Sequence, residues 1–344
     1  MQLSFSVWVT TACNLKCRYC YEGGDKSKLY LNSDKAAEVV DYIKAKANHT
    51  ERTQNAVIEK INIGLHGGEP LLNFRIIKEF VNIAADVLKE YELSYQLTTN
   101  GTILDDEILS FLKDNIGHLT VSFDGDKATH DLNRLDCSGK GTYDIVRSNS
   151  LKLLKEFGNS LRIRMTFNSE TVEKLYDNIS HMVDSGFKII IAQPDIFDKK
   201  WNNESVKALE SEILKLKELK APEDTYINLK EPVVMIKKGI CSIESDGENI
   251  YPDGTIYGCT MATGNPDFRI GNIENGIDNS IIQSIMIHSE SKMEKCSGCS
   301  FSSYCDCVRC RIINKIVNDD YCNPIGIQCA LNNILIRCNG FKKR

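Results

Sequence analysis

The sequence predicts an α/β fold in which a parallel sheet curls into a partial (β/α)6 barrel, followed by a cysteine-rich C-terminal region. Three observations carry this expectation. Strand-like and helix-like segments alternate from residue 1 to about 220. The polar motifs recur where the strand-like segments end. Ten of the 14 cysteines fall between positions 241 and 338.

The first segment, 2–10, alternates Leu3, Phe5, Val7 and Val9 with other residues, the period of a half-buried strand. Short runs rich in Val, Ile, Leu or Thr, bounded by turn residues, place further strands at 58–65, 94–98, 118–123, 161–167 and 187–192. Between them, apolar residues at three- and four-residue spacing predict helices near 33–48, 73–91, 103–115, 142–157, 173–185 and 204–219. Asn73 before Phe74 and Asp105 before Glu107 read as helix-start signals. Active sites of such sheets lie at the C-terminal ends of the strands. There the sequence places Cys13, then His66-Gly67-Gly68-Glu69-Pro70, then Thr99-Asn100-Gly101. Ser122 and Asp124-Gly125 close the fourth strand, Arg164 and Asn168 the fifth, Gln193 and Asp195 the sixth.

After about 220 the alternation stops. Lys220-Ala221-Pro222-Glu223-Asp224 reads as linker, dividing the chain into a catalytic domain (1–220), a linker (221–240) and a cysteine-rich domain (241–344). Glu248 to Cys259 predicts a hairpin turning at Asp253-Gly254. A tail so rich in Cys, Gly, Asn and Ser is expected to bury little apolar area, leaving metal clusters to hold it together.

Composition narrows the class. With 344 residues, 42% hydrophobic and 26% charged, the chain is an ordinary globular protein. A net charge of −5 argues against a basic nucleic-acid-binding surface. No apolar run has the length of a membrane span, and the N-terminus lacks the pattern of a secretion signal. A cytoplasmic, reducing location is therefore expected, with neither nucleic acid nor membrane as partner. In that setting clustered thiols bind metals more often than they form disulfides.

Cys13-x3-Cys17-x2-Cys20 follows the first strand. Three thiolates so spaced can reach three corners of a [4Fe–4S] cubane and leave its fourth iron open. An open iron can be chelated by the amine and carboxylate of an amino acid, as in S-adenosylmethionine (SAM). Reductive cleavage then gives a 5′-deoxyadenosyl radical that abstracts hydrogen, the protein positioning both cofactors. Tyr19 is placed to pack near the adenine. The alternative is a zinc site, but structural zinc takes four ligands and no fourth Cys or His lies nearby.

With these motifs, residues 5 to about 195 resemble the radical SAM superfamily. The resemblance implies that Gly67, Gly68 and Glu69 form the stretch that holds the SAM amino group. It also implies SAM contacts from Thr99, Asn100, Ser122, Asp124 and Arg164. Glycines let backbone carbonyls approach, and carboxylates suit an ammonium or ribose hydroxyls. Taken alone, Gly-Gly-Glu-Pro is only a turn. Its place after the second strand, downstream of the cysteine motif, gives it meaning.

The tail reads Cys241-x12-Gly254-x4-Cys259, then Cys296-x2-Cys299-x5-Cys305, then Cys307, Cys310, Cys322, Cys329 and Cys338. It resembles the SPASM extension of radical SAM peptide-modifying enzymes, which holds two auxiliary [4Fe–4S] clusters and so implies three in all. By that resemblance Cys241 and Cys259 serve auxiliary cluster I with a cysteine of the 307–310 stretch, Cys310 or Cys307. Cys296, Cys299 and Cys305 serve cluster II with Cys329, because Ile327-Gln328-Cys329 opening a last helix resembles the ending of thioether-forming maturases. The chain departs from the family pattern at position 309, an Arg where a Cys is usual. Spare cysteines, Cys137 among them, are expected to be simply buried. A pair of zinc knuckles is the plainer alternative for the tail.

Enzymes with this extension act mostly on peptides or proteins. The sulfatase-maturing group usually carries Asp directly after the second auxiliary cysteine, and here that residue is Thr260, which removes a proton acceptor. The resemblance thus implies a maturase of a ribosomally synthesised, Cys-containing peptide that forms sulfur-to-carbon thioether crosslinks. Formylglycine generation in sulfatases, carbon–carbon crosslinking and epimerisation are the alternatives. A non-catalytic iron–sulfur electron-transfer protein is the alternative from another class. The cysteine loop begins at residue 13, leaving no room for an N-terminal leader-binding module. A separate leader-binding protein or the barrel mouth is expected to take that role, with flavodoxin or ferredoxin as external reductant. Gln193, Asp195 and Trp201 are candidate substrate-wall residues. Trp201 reads first as loop packing, and His66 equally as a structural histidine.

Overall fold

The computed structural model describes residues 1–23, 28–236, 247–289 and 291–343; Cys241 lies outside the described residues. The barrel runs through β1 (Gln2–Thr10), α1 (Ser33–Gln54), β2 (Lys60–Gly67), α2 (Phe74–Val87), β3 (Glu92–Thr99), α3 (Asp106–Asn115) and β4 (Ile116–Ser122). It continues through α4 (Lys127–Asn133), α5 (Tyr143–Phe157), β5 (Arg162–Phe167), α6 (Leu175–Asp184), β6 (Ile189–Pro194) and α7 (Asn203–Lys217). Each predicted strand and helix is present, displaced by a few residues at its ends. The first helix runs beyond 48 to Gln54, where Asn55 takes a left-handed conformation (φ 47°) and its N–H caps Glu51 O. Asp105 caps α3 as predicted, accepting from Ile108 N at 2.8 Å. Asn73 does not cap α2. Its amide instead donates to Val9 O (2.8 Å) and Leu31 O (3.0 Å), tying the end of β1 to the segment before α1.

Strand alternation sorts the sheet into two faces. Leu3, Phe5, Val7, Val9, Ile61, Ile63, Leu65, Leu97, Leu119, Val121, Ile163 and Ile190 are buried in the apolar core beneath the helices. The opposite face carries Gly64, Gln96 and His118 in one row of paired residues, with Ser122, Arg164 and Ile191 in another. Gln96, His118 and Arg164 are exposed. The inner face is therefore an open polar hollow and not a packed interior.

The remaining elements are β7 (Tyr226–Ile227), β8 (Val233–Met235), β9 (Glu248–Ile250), β10 (Thr255–Tyr257), β11 (Arg269–Asn272), β12 (Gly276–Ile277) and α8 (Asn279–Met286). They end with α9 (Asp306–Arg309), α10 (Arg311–Asn318), α11 (Gly326–Asn339) and β13 (Phe341–Lys343). The predicted hairpin forms as β9 and β10, turning through Gly254 at φ +86°. β7, inside the stretch read as linker, pairs with β6.

One expectation is corrected. β9 pairs in parallel with β1, Phe5 opposite Glu248 and Val7 opposite Ile250, so the tail continues the barrel sheet. The result is one 11-stranded sheet in the order β12-β11-β10-β9-β1-β2-β3-β4-β5-β6-β7. Ile250, Ile256, Phe268, Ile270, Ile312, Ile327, Leu331 and Ile334 share the apolar core of the barrel, so the tail does bury apolar area. Polar ties reinforce the junction: Arg337 pairs with Glu210 at 2.8 Å, and Lys217 Nζ donates to Cys338 O at 2.7 Å. Among the described residues no helix is long and apolar enough to cross a membrane.

Candidate active site

The loop after β1 is held over the strand ends by backbone hydrogen bonds from a distant segment. Lys16 N donates to Leu135 O (2.8 Å) and Arg18 N to Asn133 O (2.9 Å). Cys13 and Cys17 are half-buried and Cys20 is exposed. Burial pushes the Cys13 thiol up to about 12; the Leu15 N–H opposes, while Glu69, Cys17 and Cys20 add to the rise. Burial also raises Cys17, with Arg134 opposing and Asp124 and Cys20 adding. Thiols crowded this way stay protonated until a cation replaces the protons, which is what binding iron does. Among the described residues no three His, Cys, Asp or Glu side chains could hold a single metal ion. Three thiolates carried on one loop could each take one corner of a [4Fe–4S] cubane.

The end of β2 is seated on this loop. Gly68 N donates to Thr10 O (3.2 Å) and Glu69 N to Ala12 O (2.9 Å). A Cβ at Gly67 would lie 2.4 Å from Thr10 O, and one at Gly68 would lie 2.7 Å from Ala12 O and 2.9 Å from Cys13 Cβ. Only glycine permits so close an approach. Glu69 is fully buried and accepts from Leu71 N (3.1 Å), Thr99 Oγ1 (2.9 Å) and Asn100 N (2.6 Å). Burial lifts its carboxyl to about 7 against those three hydrogen bonds. Asn100 Nδ2 bonds Asn14 Oδ1 at 2.9 Å and lies 3.8 Å from Cys13 Sγ. Glu69, Thr99, Asn100 and Cys13 thus form one connected group.

A second group surrounds Asp124, which is buried. Its carboxylate accepts from Arg134 Nε (3.0 Å), Thr166 N (3.0 Å) and the Tyr19 hydroxyl. The Arg134 guanidinium also lies over the Tyr19 ring, 5.3 Å from its centroid. Burial opposes the charge of Arg134, yet Asp124, Tyr19 and Cys17 hold its pKa above the ordinary value. Sequence reasoning missed Arg134: Asn133-Arg134-Leu135 carries no motif, and only the fold brings it to the cysteine loop. Arg164 is exposed in the hollow beside Ser122, its register partner.

Gln193 is half-buried on the inner face, paired with Thr166. Asp195 is buried and accepts from Phe197 N at 2.9 Å, with burial raising its carboxyl. Trp201 packs edge-on against Phe167 (6.2 Å) and donates to Asp195 O (2.8 Å), so it acts as loop packing. His66 stacks on Trp8 with centroids 4.9 Å apart, and burial lowers its pKa. Tyr21 is 40% exposed, yet burial is the largest cause raising its pKa, with Glu22, Cys20 and Cys259 adding.

In the tail, the sulfurs of Cys296, Cys299, Cys305 and Cys329 lie within electrostatic reach of one another. Cys307, buried, joins them: its thiol hydrogen-bonds the Cys305 sulfur, drawing Cys305 down to about 6 and pushing Cys307 up. Cys310 is half-buried and near Cys307. Cys322 accepts from Arg311 Nη1 at 3.5 Å, and Cys338 sits apart beside Glu210 and Lys217. Cys137 departs from expectation. It is exposed, not buried, because it rides on a turn closed by Asp136, which accepts from Ser138 N and Lys140 N.

The family model of the Radical SAM superfamily matches residues 8–182, half of the chain. The chain belongs to that superfamily and is a radical SAM enzyme. A cysteine-type anaerobic sulfatase-maturating enzyme of Clostridium novyi is 28% identical over 173 residues, 48% of this chain and 44% of that protein. The chain thus spans less than half the length of that relative. The same-named enzyme of Clostridium perfringens is 23% identical over 331 residues, 88% of this chain and 87% of the relative. Among solved structures, anSMEcpe with bound AdoMet superposes with a TM-score of 0.76 at 18% identity, covering 98% of this chain and 96% of that one. SuiB of Streptococcus suis, bound to precursor peptide SuiA, does so with a TM-score of 0.62 at 14% identity, covering 95% and 75%. The fold is a radical SAM barrel with a cysteine-rich extension of the SPASM type.

Proposed function

We propose that this enzyme is a peptide maturase that binds SAM at a [4Fe–4S] cluster on Cys13, Cys17 and Cys20 and forms Cys thioether crosslinks in a ribosomally synthesised peptide. The observation that carries the reading is the seating of Gly67 and Gly68 on the cysteine loop, where no side chain fits. Cluster and SAM together supply, when bound, a radical able to remove a substrate hydrogen.

The chain's own residues do the positioning. Gly68 holds the β2 end against Ala12 and Cys13. Glu69 fixes the backbone of Asn100 and the hydroxyl of Thr99, setting both at the rim of the site. Arg134 and Thr166 N lock the Asp124 carboxylate, and with it Tyr19, on the side where an adenosyl group would lie. Ser122 and Arg164 complete that wall, with Gln193 and Asp195 toward the substrate. Cys296, Cys299, Cys305 and Cys329 would hold one auxiliary cluster, and the electrostatic influence of these sulfurs on Cys296 and Cys329 supports the assignment. Cys259, with Cys310 or Cys307 and with Cys241 outside the described residues, would serve a second.

The peptide reading is supported by two structural neighbours, anSMEcpe with bound AdoMet and Kp18Cys peptide and SuiB bound to precursor peptide SuiA. For thioether formation the support is Thr260, which follows Cys259 and donates to Asn249 Oδ1 at 2.9 Å, placing a neutral hydroxyl there. Formylglycine generation is the second reading, favoured by the names of the Clostridium relatives. Co-expression with a Cys-containing peptide encoded beside the gene separates them. A thioether product is lighter by two hydrogens per link and its cysteines resist alkylation. An aldehyde that takes up a hydrazide label favours formylglycine instead, and an unchanged peptide overturns both.

A further inference from the structure

Asn100 follows β3 and is buried, and its N–H donates to Glu69 Oε2 at 2.6 Å. Gly101, at φ +75°, then turns the chain so that Thr102 meets the Asn100 side chain. Three side chains close a ring there. Thr102 Oγ1 donates to Asn100 Oδ1 (2.6 Å), Asn100 Nδ2 donates to Asn14 Oδ1 (2.9 Å), and Asn14 Nδ2 donates to Thr102 Oγ1 (2.8 Å). One backbone group sets the direction of the whole ring. The Thr102 N–H reaches Asn100 Oδ1 at 3.0 Å, and an N–H can only donate, so the Asn100 amide must present its oxygen on that side. Its Nδ2 then faces the cysteine loop with two hydrogens to place. One goes to Asn14 Oδ1, and the other has Cys13 Sγ as its acceptor, 3.8 Å away, a hydrogen bond of the longer kind that sulfur makes. Leu15 N donates to the same sulfur at 3.4 Å. The Cys13 sulfur thus takes one donor from its own loop and one from the end of β3.

We propose that Thr102 is a positioning residue for the SAM-binding cluster: through the ring it holds the Asn100 amide on the Cys13 sulfur, and that hydrogen bond raises the reduction potential of the cluster. This rests on the reading of Cys13, Cys17 and Cys20 as the cluster ligands. When an external reductant delivers one electron, the added negative charge is shared by the cluster and its thiolate sulfurs. An N–H dipole directed at a thiolate stabilises the more negative state, and so favours reduction. Without the Thr102 hydroxyl, Asn14 Nδ2 loses its acceptor and Asn100 Oδ1 keeps only the Thr102 N–H. The amide is then free to turn off the sulfur.

The test is an EPR-monitored potentiometric titration of the full chain, reconstituted anaerobically and measured without SAM. The SAM-binding cluster is the reduced-state signal absent from Cys17→Ala. Thr102→Val, which keeps the shape of the side chain and removes the hydroxyl, is expected to lower the reduction equilibrium of that cluster at least threefold, about 28 mV downward for one electron. Thr102→Ser, which keeps the hydroxyl, is expected to match the parent. Asn100→Ala is expected to lower the potential at least as far as Thr102→Val. Adding Thr102→Val to Asn100→Ala should lower it no further, since both remove one interaction. An unchanged potential in Thr102→Val at full iron content overturns the proposal. So does a Thr102→Ser shift equal to that of Thr102→Val, or additive shifts in the double variant. Should Thr102→Val load no iron, Asn100→Ala decides: a lowered potential there, with Thr102→Ser at the parent value, upholds the proposal, and an unchanged one overturns it. A parent chain without the Cys17-dependent signal overturns the cluster reading instead.

Discussion

Gly68 is where the two halves of the radical-generating site meet. The backbone of β2 touches the cysteine loop there with no tolerance for a methyl group, since a Cβ would lie 2.9 Å from Cys13 Cβ. Gly68→Ala is expected to cost about 1–3 kcal/mol of stability by overpacking. It should also displace Cys13 enough to cut 5′-deoxyadenosine formation at least tenfold. Urea unfolding and product quantification check both, and an alanine variant with parental turnover contradicts the role given to the glycine. At this scale the Cys13-x3-Cys17-x2-Cys20 spacing was legible in the sequence directly, and Gly67, Gly68 and Glu69 only through the resemblance to the radical SAM superfamily. Arg134 was not, because its meaning comes from Asp124 and Tyr19, which only folding brings to it. Cys137 misled for the converse reason: cysteine as a type is commonly buried, and the turn that exposes it is local.

At the scale of the element, α4 shows how a short helix organises the site. Asp126 caps it, accepting from Thr129 N at 2.8 Å, and its seven residues are too few to display an apolar repeat. It delivers His130, whose Nδ1 accepts from Asp124 N (3.4 Å) while Nε2 faces Thr142 Oγ1 (3.1 Å). The Thr142 hydroxyl spends its proton on Arg134 O (2.8 Å), so Nε2 must be the donor and the ring neutral. Burial accordingly lowers His130 from 6.5 to about 4, with Arg134 and Lys127 helping and Asp124 opposing. A histidine depressed in the folded state is protonated first in the unfolded chain. Its contribution is therefore complete above pH 6.5 and lost as pH falls toward about 4. About 2 kcal/mol should disappear between roughly pH 7 and pH 5, and His130→Gln should remove that slope. Parallel pH slopes in urea titrations of the two proteins would contradict this.

At the scale of the whole molecule, barrel and tail are one body. β9 covers the edge of β1, and the tail's Ile250, Ile256 and Leu331 lie in the barrel's own core. The six barrel strands were legible because each pairs with its sequence neighbour and alternates over several residues. Of the tail strands only the β9–β10 hairpin was legible, through Asp253-Gly254; the others span two to four residues, and the pairing of β9 with β1 joins distant parts of the chain. A chain ending at Ile236 would leave the β1 edge unpaired and apolar surface bare. It is expected to aggregate or to lose its fixed tertiary packing. A soluble, cooperatively unfolding 1–236 fragment would show that the tail is dispensable to the barrel.

The central claim is that Cys13, Cys17 and Cys20, with the strand ends around them, cleave SAM reductively. The direct measurement is 5′-deoxyadenosine released by the anaerobically reconstituted chain with SAM and dithionite, beside a Cys17→Ala variant of equal tail-bound iron. The expected result is several turnovers for the parent and none for the variant. An iron-replete parent that releases no 5′-deoxyadenosine, or a variant that matches it, would contradict the account.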